Sequence, residues 1–459
     1  MDNNYSFSKK FLEGEAISNF WNLASYGIIS LNSFIIIYFL SVYEYGLYQL
    51  ILSVIAMAVS VAGGAFDGLV SVDLSRYFGR GDTASAKRLF WEYAALKFFL
   101  MVLQVAVLII GANLISNYGL ASAKFLRPAS IAVVLLSGQS LINTFFKSKI
   151  YFSALKSSFV GEIGKFFVII GFLFWQGLDI ENVLIVYVVG QSFSFVFSTI
   201  YFIKLYDKIF SEVQAVKKFL LKDLMKIHGI WIFWRYLLSR IGNNIRPWIL
   251  RIFLSTEAVG FYSFARNLVA IIVRLLPLGT LGILFPRETE NKEKFRYIFI
   301  RVIKYSLFLS TSLSILAFFI VPSLLSRFLP KYNPAMPLFK IMIGIIFLYG
   351  FYKILRMVLV VFQEQKALAI RSFDESILAP LILVFLLPVF GITGAAIEWV
   401  LTYFITTILF YVYISRKHVF LHLRPRDILK IDKHDYELFK KIYKMTVDFF
   451  KKKCFPILK

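Results

Sequence analysis

Long apolar segments alternate with short polar segments along almost the whole chain. Each apolar segment has roughly 18–28 residues, enough for a helix to cross a hydrocarbon core of about 30 Å. The segments are continuous apolar runs, unlike the alternating strands of a membrane barrel, and an open strand cannot cross lipid. The pattern predicts an all-α polytopic membrane protein of about twelve transmembrane helices. The predicted spans are 17–40, 45–68, 90–114, 129–149, 157–176, 182–203, 227–251, 258–286, 299–321, 336–360, 367–388 and 393–415.

Composition favours the bilayer as the solvent of this chain. Hydrophobic residues make up 59% of the 459 positions, against about 45–50% in soluble domains. A net charge of +24 would indicate nucleic-acid binding in a soluble protein. Here the basic residues lie between apolar spans, so we expect contact with anionic membrane lipids and no nucleic acid. With one cysteine, Cys454, and four histidines, neither an intrachain disulfide nor a zinc cluster is expected, and no cofactor is predicted.

The distribution of basic residues predicts the orientation of the chain. With the amino terminus placed inside, the inner segments carry 35 lysines and arginines, and the outer loops carry 4. The positive-inside rule then places both termini in the cytoplasm. The tail holds an aromatic and lysine-rich run at 435–453, which is either an amphipathic helix on anionic lipid or a solvated segment. The predicted organisation is a cytoplasmic amino terminus (1–16), an N-lobe (17–203), a cytoplasmic linker (204–226), a C-lobe (227–415) and a basic cytoplasmic tail (416–459).

A short repeat at an offset of 214 residues indicates an internal duplication. The sequence FLSVYEYGLY begins at Phe39, and FLSTEAVGFY begins at Phe253, so that Gly46 recurs as Gly260. Both copies join one span to the next through an outer turn, and six spans separate them. The two halves therefore run in the same sense. This predicts two pseudo-symmetric six-helix lobes related by an axis along the membrane normal, which is a transporter architecture.

The seventh predicted span is anomalous because it carries four arginines, Arg235, Arg240, Arg246 and Arg251. A charge at the centre of a span costs about 2.5–3.5 kcal/mol on insertion scales, and Arg240 is too central to reach the interface easily. At about 100° per residue, Arg235 and Arg246 share one face, and Arg240 and Arg251 share another. Pro247 removes a backbone hydrogen bond. Together these features predict a broken, polar helix beside a water-filled cavity.

The cations within the spans predict a cavity for an anionic ligand. No acid close in sequence neutralises the arginines of span seven or Arg274, and guanidinium groups bind phosphate in a bidentate geometry. Lys165 is spaced to pair with Glu162. The alternative is that the arginines contact lipid phosphate or the carbonyls of neighbouring helices. The candidate cavity residues are Arg235, Arg240, Arg246, Arg266, Arg274, Lys97, Lys165, Asn22 and Asn32.

Two further features of the spans have open interpretations. Asn22 and Asn32 belong to a polar stripe on span one, which either lines the cavity or hydrogen-bonds a neighbouring helix. Glu398 in span twelve has no basic residue three or four positions away, so it is the candidate for coupling transport to a proton or Na⁺. Alternatively, Glu398 reaches water at the outer end of its span. Arg371 is spaced to pair with Asp374 or Glu375.

Catalytic signatures are missing from the sequence. It has no Walker lysine loop, no HExxH and no GxSxG. We therefore expect no enzyme activity, and transport that is passive, ion-coupled or driven by another protein. A membrane-bound glycan polymerase would need a sizeable outer loop for its catalytic residues, and no such loop is predicted.

Several segments resemble one family of membrane transporters. They are the YGLY turn at 45–48, Asp67-Gly68-Leu69, the basic loop with Gly79, Gly81 and Asp82 before Lys87-Arg88, and the runs TEAVGFYSFARNL (256–268) and FGITGAAIEW (390–399). In their order, and with twelve spans in two lobes, they resemble the polysaccharide and O-antigen flippases of the Wzx type. These belong to the superfamily of MATE-like multidrug, oligosaccharidyl-lipid and polysaccharide exporters. The resemblance extends over residues 15 to 415.

The resemblance implies a function in surface polysaccharide biosynthesis. Such a protein flips undecaprenyl-pyrophosphate-linked oligosaccharide across the bacterial inner membrane, by alternating access through a cation-lined cavity. A polysaccharide polymerase and glycosyltransferases are its implied partners. Two related functions remain as alternatives. A lipid II flippase usually has fourteen spans, and a MATE-like exporter of cationic drugs predicts an acidic cavity.

Overall fold

The computed structural model describes residues 2–61, 65–116, 123–148, 155–211, 213–214, 216, 218–224, 230–274, 276, 285, 291–362, 364–424 and 427. Regular structure in these residues is entirely helical, which confirms the all-α prediction. The first half contains α1 (Asp2–Phe39), α2 (Val42–Val59), α3 (Ala65–Gly79), α4 (Thr83–Ser116), α5 (Ala123–Ser148), α6 (Leu155–Trp175) and α7 (Ile180–Phe210).

The second half follows a short helix, α8 (Leu221–Leu224). It contains α9 (Ile230–Phe253), α10 (Thr256–Arg274), α11 (Lys292–Phe328), a 3₁₀ turn (Pro330–Ala335), α12 (Met336–Val361), α13 (Gln365–Phe373), a π-helical turn (Asp374–Leu378), α14 (Ala379–Phe390) and α15 (Ile392–Lys417). A 3₁₀ turn, Val419–Leu421, ends the described regular structure.

Ten of the described helical segments are long and apolar enough to cross a membrane. Helix α1 contributes a shorter apolar segment, Leu23–Phe39. Helix α9 has 24 residues but carries the four arginines noted above. A helix therefore lies at each of the twelve predicted spans, and the chain is a multi-pass membrane protein.

Successive helices run in opposite directions, so the bundle has two faces. The turn face holds the connections at 40–41, 176–179, 254–255, 329–335 and 391. There Lys331 Nζ donates to the backbone oxygens of Tyr38 and Leu40, at 2.6 Å each. The tail face holds the start of α1, the turn at 80–82, the end of α7 and the segment 418–424. There Lys87 Nζ donates to the carbonyl of Phe210 at 3.1 Å.

The turn face is closed by a reciprocal contact between the lobes. Helices α2 and α10 cross so tightly that a Cβ on Gly46 would overlap the carbonyl oxygen of Thr256, and a Cβ on Gly260 would overlap that of Val42. The two glycines, and their two partners, are related by the same offset of 214 residues. Only glycine allows this approach of backbones. The sequence repeat therefore forms a pseudo-two-fold contact, with each copy packed on the other.

Breaks in the helices do not lie where they were predicted. Helix α9 continues through Pro247, so the prediction of a broken span seven is wrong. It is held by packing against α2, α10 and α14, and Asn243 and Asn244 donate side-chain bonds to the carbonyls of Ser239 and Arg240 at 3.0 and 2.8 Å. The tail run 435–453 lies outside the described residues.

Two other predicted spans are each described as more than one helical segment. In span two, α2 ends at Val59 and α3 begins at Ala65. Span eleven contains the π-helical turn Asp374–Leu378. Helix α9 packs on the backbone of this turn at Gly242, where a Cβ would overlap the carbonyl oxygen of Glu375. A π turn commonly marks a functional position in a helix.

Candidate functional site

A cavity of about 430 Å³ lies between the two halves of the bundle. Helices α2, α5 and α7 line it on one side, and α9 and α10 line it on the other. Its walls mix aliphatic and polar side chains, as expected for a site that binds an amphiphilic ligand. The lining residues are Gln49, Leu52, Ser53, Ile55, Ala56, Val59, Ser60, Leu136, Tyr187, Tyr236, Arg240, Asn244, Pro247, Ser263, Arg266 and Asn267.

The charged groups in this lining are two arginines. The guanidinium of Arg240 lies 5.2 Å from the ring centroid of Tyr236, and that of Arg266 lies 5.6 Å from Trp399. Within the described residues, neither arginine forms an ion pair, and no aspartate or glutamate lines the cavity. Because an unpaired charge is stable inside a membrane only beside water or a counter-ion, the cavity suits an anion. Of the residues predicted for the site, Arg240 and Arg266 are the two that the structure brings into this cavity.

Arg246 does not belong to the cavity. It is 1% exposed, and its Nη2 donates to Glu398 Oε1 at 3.2 Å, while Nη1 donates to Asn243 at 3.0 Å. Arg246 therefore has an acid partner and Glu398 a basic one, although neither partner is close in sequence. The partners are 152 residues apart in sequence, so a search within one helix turn misses them. Glu398 is fully buried and does not reach water.

A second ion-pair group adjoins the π-helical turn. Arg371 contacts Asp374 at 2.9 Å and Glu375 at 2.8 Å, as its spacing predicted. Thr406 donates to Asp374 at 2.6 Å, and Ser239 of α9 hydrogen-bonds Glu375. Through these contacts α9, the π turn and α15 form one polar core in the second lobe.

Lys97 is neutralised inside the first lobe. Its Nζ lies 2.5 Å from Asp67 Oδ1 and donates to Ser140 at 2.8 Å. Tyr93 donates to the same carboxylate at 2.5 Å, and Thr144 at 3.1 Å. Lys97 is 3% exposed, so it is a buried partner of Asp67 rather than a cation of the cavity wall. Asp67 was noted in the sequence only as part of a motif.

Lys165 and Asn32 form a separate group in the same lobe. Lys165 lies 2.6 Å from Glu162, which confirms the predicted pair. Asn32 Nδ2 donates to the backbone oxygen of Glu162 at 2.9 Å and to its carboxylate at 3.2 Å. Of the two interpretations of the polar stripe on α1, the structure favours interhelical hydrogen bonding for Asn32.

Three predicted residues remain. Arg274 lies outside the central cavity, with its guanidinium 4.8 Å from the ring centroid of Tyr26. The side chains of Arg235 and Asn22 lie outside the described part of the chain. No group of three histidine, cysteine or acidic side chains placed to hold a metal ion occurs among the described residues.

The sequence of residues 12–292 matches the family model of the polysaccharide biosynthesis proteins. The chain belongs to this family. The match covers more than half of the chain, including the first lobe and the helices α9 and α10 that line the cavity. A search of curated protein sequences found no significant match.

Solved structures show which fold this polysaccharide biosynthesis protein adopts. A multidrug resistance MATE family transporter of the MOP superfamily, in an inward-facing conformation, has a TM-score of 0.70 at 13% identity, covering 88% of this chain and 95% of that chain. The lipid II flippase MurJ, inward closed, has a TM-score of 0.68 at 12% identity, covering 95% and 93%. A point mutant of the MATE transporter VcmN of Vibrio cholerae has a TM-score of 0.60 at 12% identity, covering 92% and 100%. The predicted MATE-like fold is confirmed.

The polar residues of α2 were missed in the sequence, although their spacing could have revealed them. Gln49, Ser53 and Ser60 line the cavity of this family member from one face of α2, at intervals of four and seven residues. Ser53 also accepts a hydrogen bond of 2.9 Å from the indole of Trp248 on α9. This contact joins the two lobes at the cavity wall.

Proposed function

We propose that this protein flips an oligosaccharide linked to undecaprenyl diphosphate across the bacterial cytoplasmic membrane. The sugar moves from the cytoplasmic to the outer side for surface polysaccharide biosynthesis. The tail face lies in the cytoplasm in this proposal, since the inner segments carry 35 of the 51 basic residues.

The observation that carries the proposal is the unpaired charge of the central cavity. Arg240 and Arg266 face it from adjacent helices without a carboxylate in the lining. A diphosphate offers several oxygens for charge-assisted hydrogen bonds, and guanidinium is well suited to bind them. Polar side chains such as Gln49, Asn244 and Asn267 are available for sugar hydroxyls.

Transport requires the lobes to separate on one face and close on the other. In this structure the turn face is closed by the contact of Gly46 and Gly260, and by Asn267, which donates to Tyr45 at 2.8 Å. Release of the sugar on the outer side therefore requires the α2–α10 contact to open. Substrate can shift the equilibrium between the closed and open turn face only by the difference in its affinity for the two states.

The same lining argues against two other functions. A MATE-like exporter of cationic drugs needs an anionic or aromatic site, whereas the charges of this cavity are positive. A glycan polymerase needs catalytic groups next to the sugar, and the lining of the cavity offers no acid for that purpose. Lipid II also carries a diphosphate. A lipid II flippase would therefore differ from the proposed function only in the sugar that it transports.

The test is glycan export by cells that contain only a variant protein. We expect Arg240→Gln and Arg266→Gln each to reduce export about tenfold, because each removes a charged hydrogen bond. Arg251→Gln is the matched control, since Arg251 lies on α9 but not in the cavity lining. Normal export by the Arg240→Gln/Arg266→Gln double variant at normal protein level would refute the proposal.

A further inference from the structure

A second group of cations lies apart from the central cavity. Arg274 of α10 stacks on Tyr26 of α1, with its guanidinium 4.8 Å from the ring centroid. Lys353 Nζ of α12 lies 5.8 Å from the ring of Tyr349. Arg274 and Arg356 are both close enough to Tyr349 to interact with it electrostatically, and Arg356 likewise interacts with Lys353. We call Arg274, Lys353 and Arg356 the tail-side cluster.

The tail-side cluster is positive and unneutralised. In the part of the chain that the structure describes, none of its three side chains forms an ion pair, whereas Arg371, the next span's arginine, contacts two acids. Arg274 and Arg356 are exposed, and Lys353 is partly exposed. Three like charges repel one another, so this arrangement is stable only with water or an anion among them.

The position of the cluster relates it to the cavity. Arg274 lines a cleft of about 140 Å³ between α1 and α10, together with Ser30, Ser33 and Asn267. Asn267 also lines the central cavity, so one side chain is shared by the two spaces. Along α10, Arg274 is eight residues from Arg266, which is about 12 Å at 1.5 Å per residue. A ligand held at Arg274 is therefore about 12 Å from Arg266, measured along the helix.

We propose that the tail-side cluster is a second anion site, which binds the diphosphate of the lipid-linked substrate before it enters the central cavity. The proposal rests on the function proposed above and adds a site to it. Two guanidinium groups and an ammonium group can contact oxygens of both phosphates, and the cleft between α1 and α10 shares Asn267 with the central cavity. A single phosphate of an ordinary phospholipid has fewer oxygens and a smaller charge, so the diphosphate is the preferred ligand.

The experiment measures binding of farnesyl diphosphate to the purified protein in nanodiscs by titration calorimetry. We expect the wild type to bind two molecules per chain. The Arg274→Gln/Lys353→Gln/Arg356→Gln variant should keep only the cavity site, and Arg240→Gln/Arg266→Gln should keep only the cluster site. Arg301→Gln is the control, because Arg301 also stacks on an aromatic ring, Tyr297 at 4.2 Å, but on α11. It should bind as the wild type does.

The lipid of the nanodisc is varied to distinguish the substrate diphosphate from bilayer phosphate as the ligand of the cluster. With phosphatidylglycerol in place of phosphatidylcholine, the cluster should still bind farnesyl diphosphate. Loss of only the cluster site in phosphatidylglycerol would mean that bilayer phosphate occupies it, and would overturn the proposal. The proposal of a second site would also be overturned if the cluster variant still bound as many molecules as the wild type while the Arg240→Gln/Arg266→Gln variant lost a site. In that case the proposed function would stand. If only the cluster variant lost a bound molecule, the cluster site would be supported, and the cavity arginines would have no role in binding the diphosphate.

Discussion

Arg240 and Arg246 lie six residues apart on α9 and have opposite environments. Arg240 is exposed to the central cavity and has no acid partner among the described residues. Arg246 is 1% exposed and pairs with Glu398, which is 0% exposed. Both cost free energy to insert into a membrane, yet only one is neutralised by the fold. Charge within a span therefore indicates function only when the folded structure fails to bring an acid to it.

A similar division is seen among several other cations within the spans. Arg371, Lys97 and Lys165 each contact a carboxylate at 2.9 Å or less. Arg266, Arg274, Lys353 and Arg356 form no ion pair in the described residues. Arg266 lines the cavity, Arg274 lines the cleft beside it, and Lys353 and Arg356 belong to the tail-side cluster with Arg274. The cations of the first group are neutralised by the folded chain itself. The second group is available for a ligand.

The largest expected effect is on stability, and it separates these two groups. Arg246→Gln leaves Glu398 buried without its partner, which costs about 3–5 kcal/mol. Arg240→Gln removes a charge that has no partner, so the thermal unfolding temperature should not fall. Unfolding of both variants in detergent, followed by tryptophan fluorescence, measures the difference. Arg246→Met combined with Glu398→Gln removes both charges and should recover much of the loss. If the unfolding temperature fell equally in Arg246→Gln and Arg240→Gln, the distinction between neutralised and unpaired arginines would be wrong.

A second prediction concerns coupling through the buried pair. Glu398 Oε1 meets Arg246, while Oε2 has no hydrogen-bond partner in the described structure. Protonation would weaken the pair and loosen α9 from α15, so Glu398 remains our candidate for ion coupling. Glu398→Gln should reduce flipping in vesicles with an imposed pH or Na⁺ gradient to the rate without a gradient. Asp374→Asn is the control. If the gradient still stimulates Glu398→Gln normally, downstream consumption of product is the simpler driving force.

The smallest expected effect is at the ion pair between Glu364 and Lys417 on the tail face, where the lysine is exposed. Glu364 accepts hydrogen bonds from Lys417 at 2.6 Å and Tyr413 at 2.9 Å, and lies 3.1 Å from His418. The bond from Lys417 is the main reason that the pKa of Glu364 lies below its ordinary value of 4.5. A lowered pKa in the folded state stabilises the protein above pH 4.5, and this contribution is lost as the pH falls through the folded pKa.

Glu364→Gln should therefore lower the unfolding temperature by about 1 °C at pH 7, because a pair with an exposed lysine contributes little, and the difference should shrink as the pH falls below 4.5. The measurement is the difference in unfolding temperature between the variant and the wild type, followed from pH 7 to pH 3. A difference that stays constant with pH would show that hydrogen bonding of the neutral side chain, not charge, stabilises this face.

The fold was largely predictable from the sequence because membrane spans are a local property. Apolar runs of sufficient length and the uneven distribution of lysine and arginine require no knowledge of tertiary contacts. The repeat was also readable, since Gly46 and Gly260 occupy equivalent turns, although the reciprocal contact between them is visible only in three dimensions.

The site was less predictable because pairing across helices is not local. Pairs within one helix turn, such as Glu162 with Lys165, follow from spacing. Arg246 with Glu398 and Lys97 with Asp67 join different helices, and nothing in the spacing of either residue reveals its partner. Lys353 and Arg356 lie within the predicted span 336–360, but their relation to Arg274 depends on the packing of α10 beside α12.

The most direct test of the central claim is whether the cavity arginines recognise the diphosphate itself. The measurement is flipping in proteoliposomes of one oligosaccharide attached either to a polyprenyl diphosphate or to a neutral polyprenyl ether. The wild type should flip the diphosphate-linked form at least about tenfold faster. The Arg240→Gln/Arg266→Gln variant should flip both forms at the same slow rate. Equal rates for both forms in the wild type, or an undiminished preference in the variant, would contradict the account.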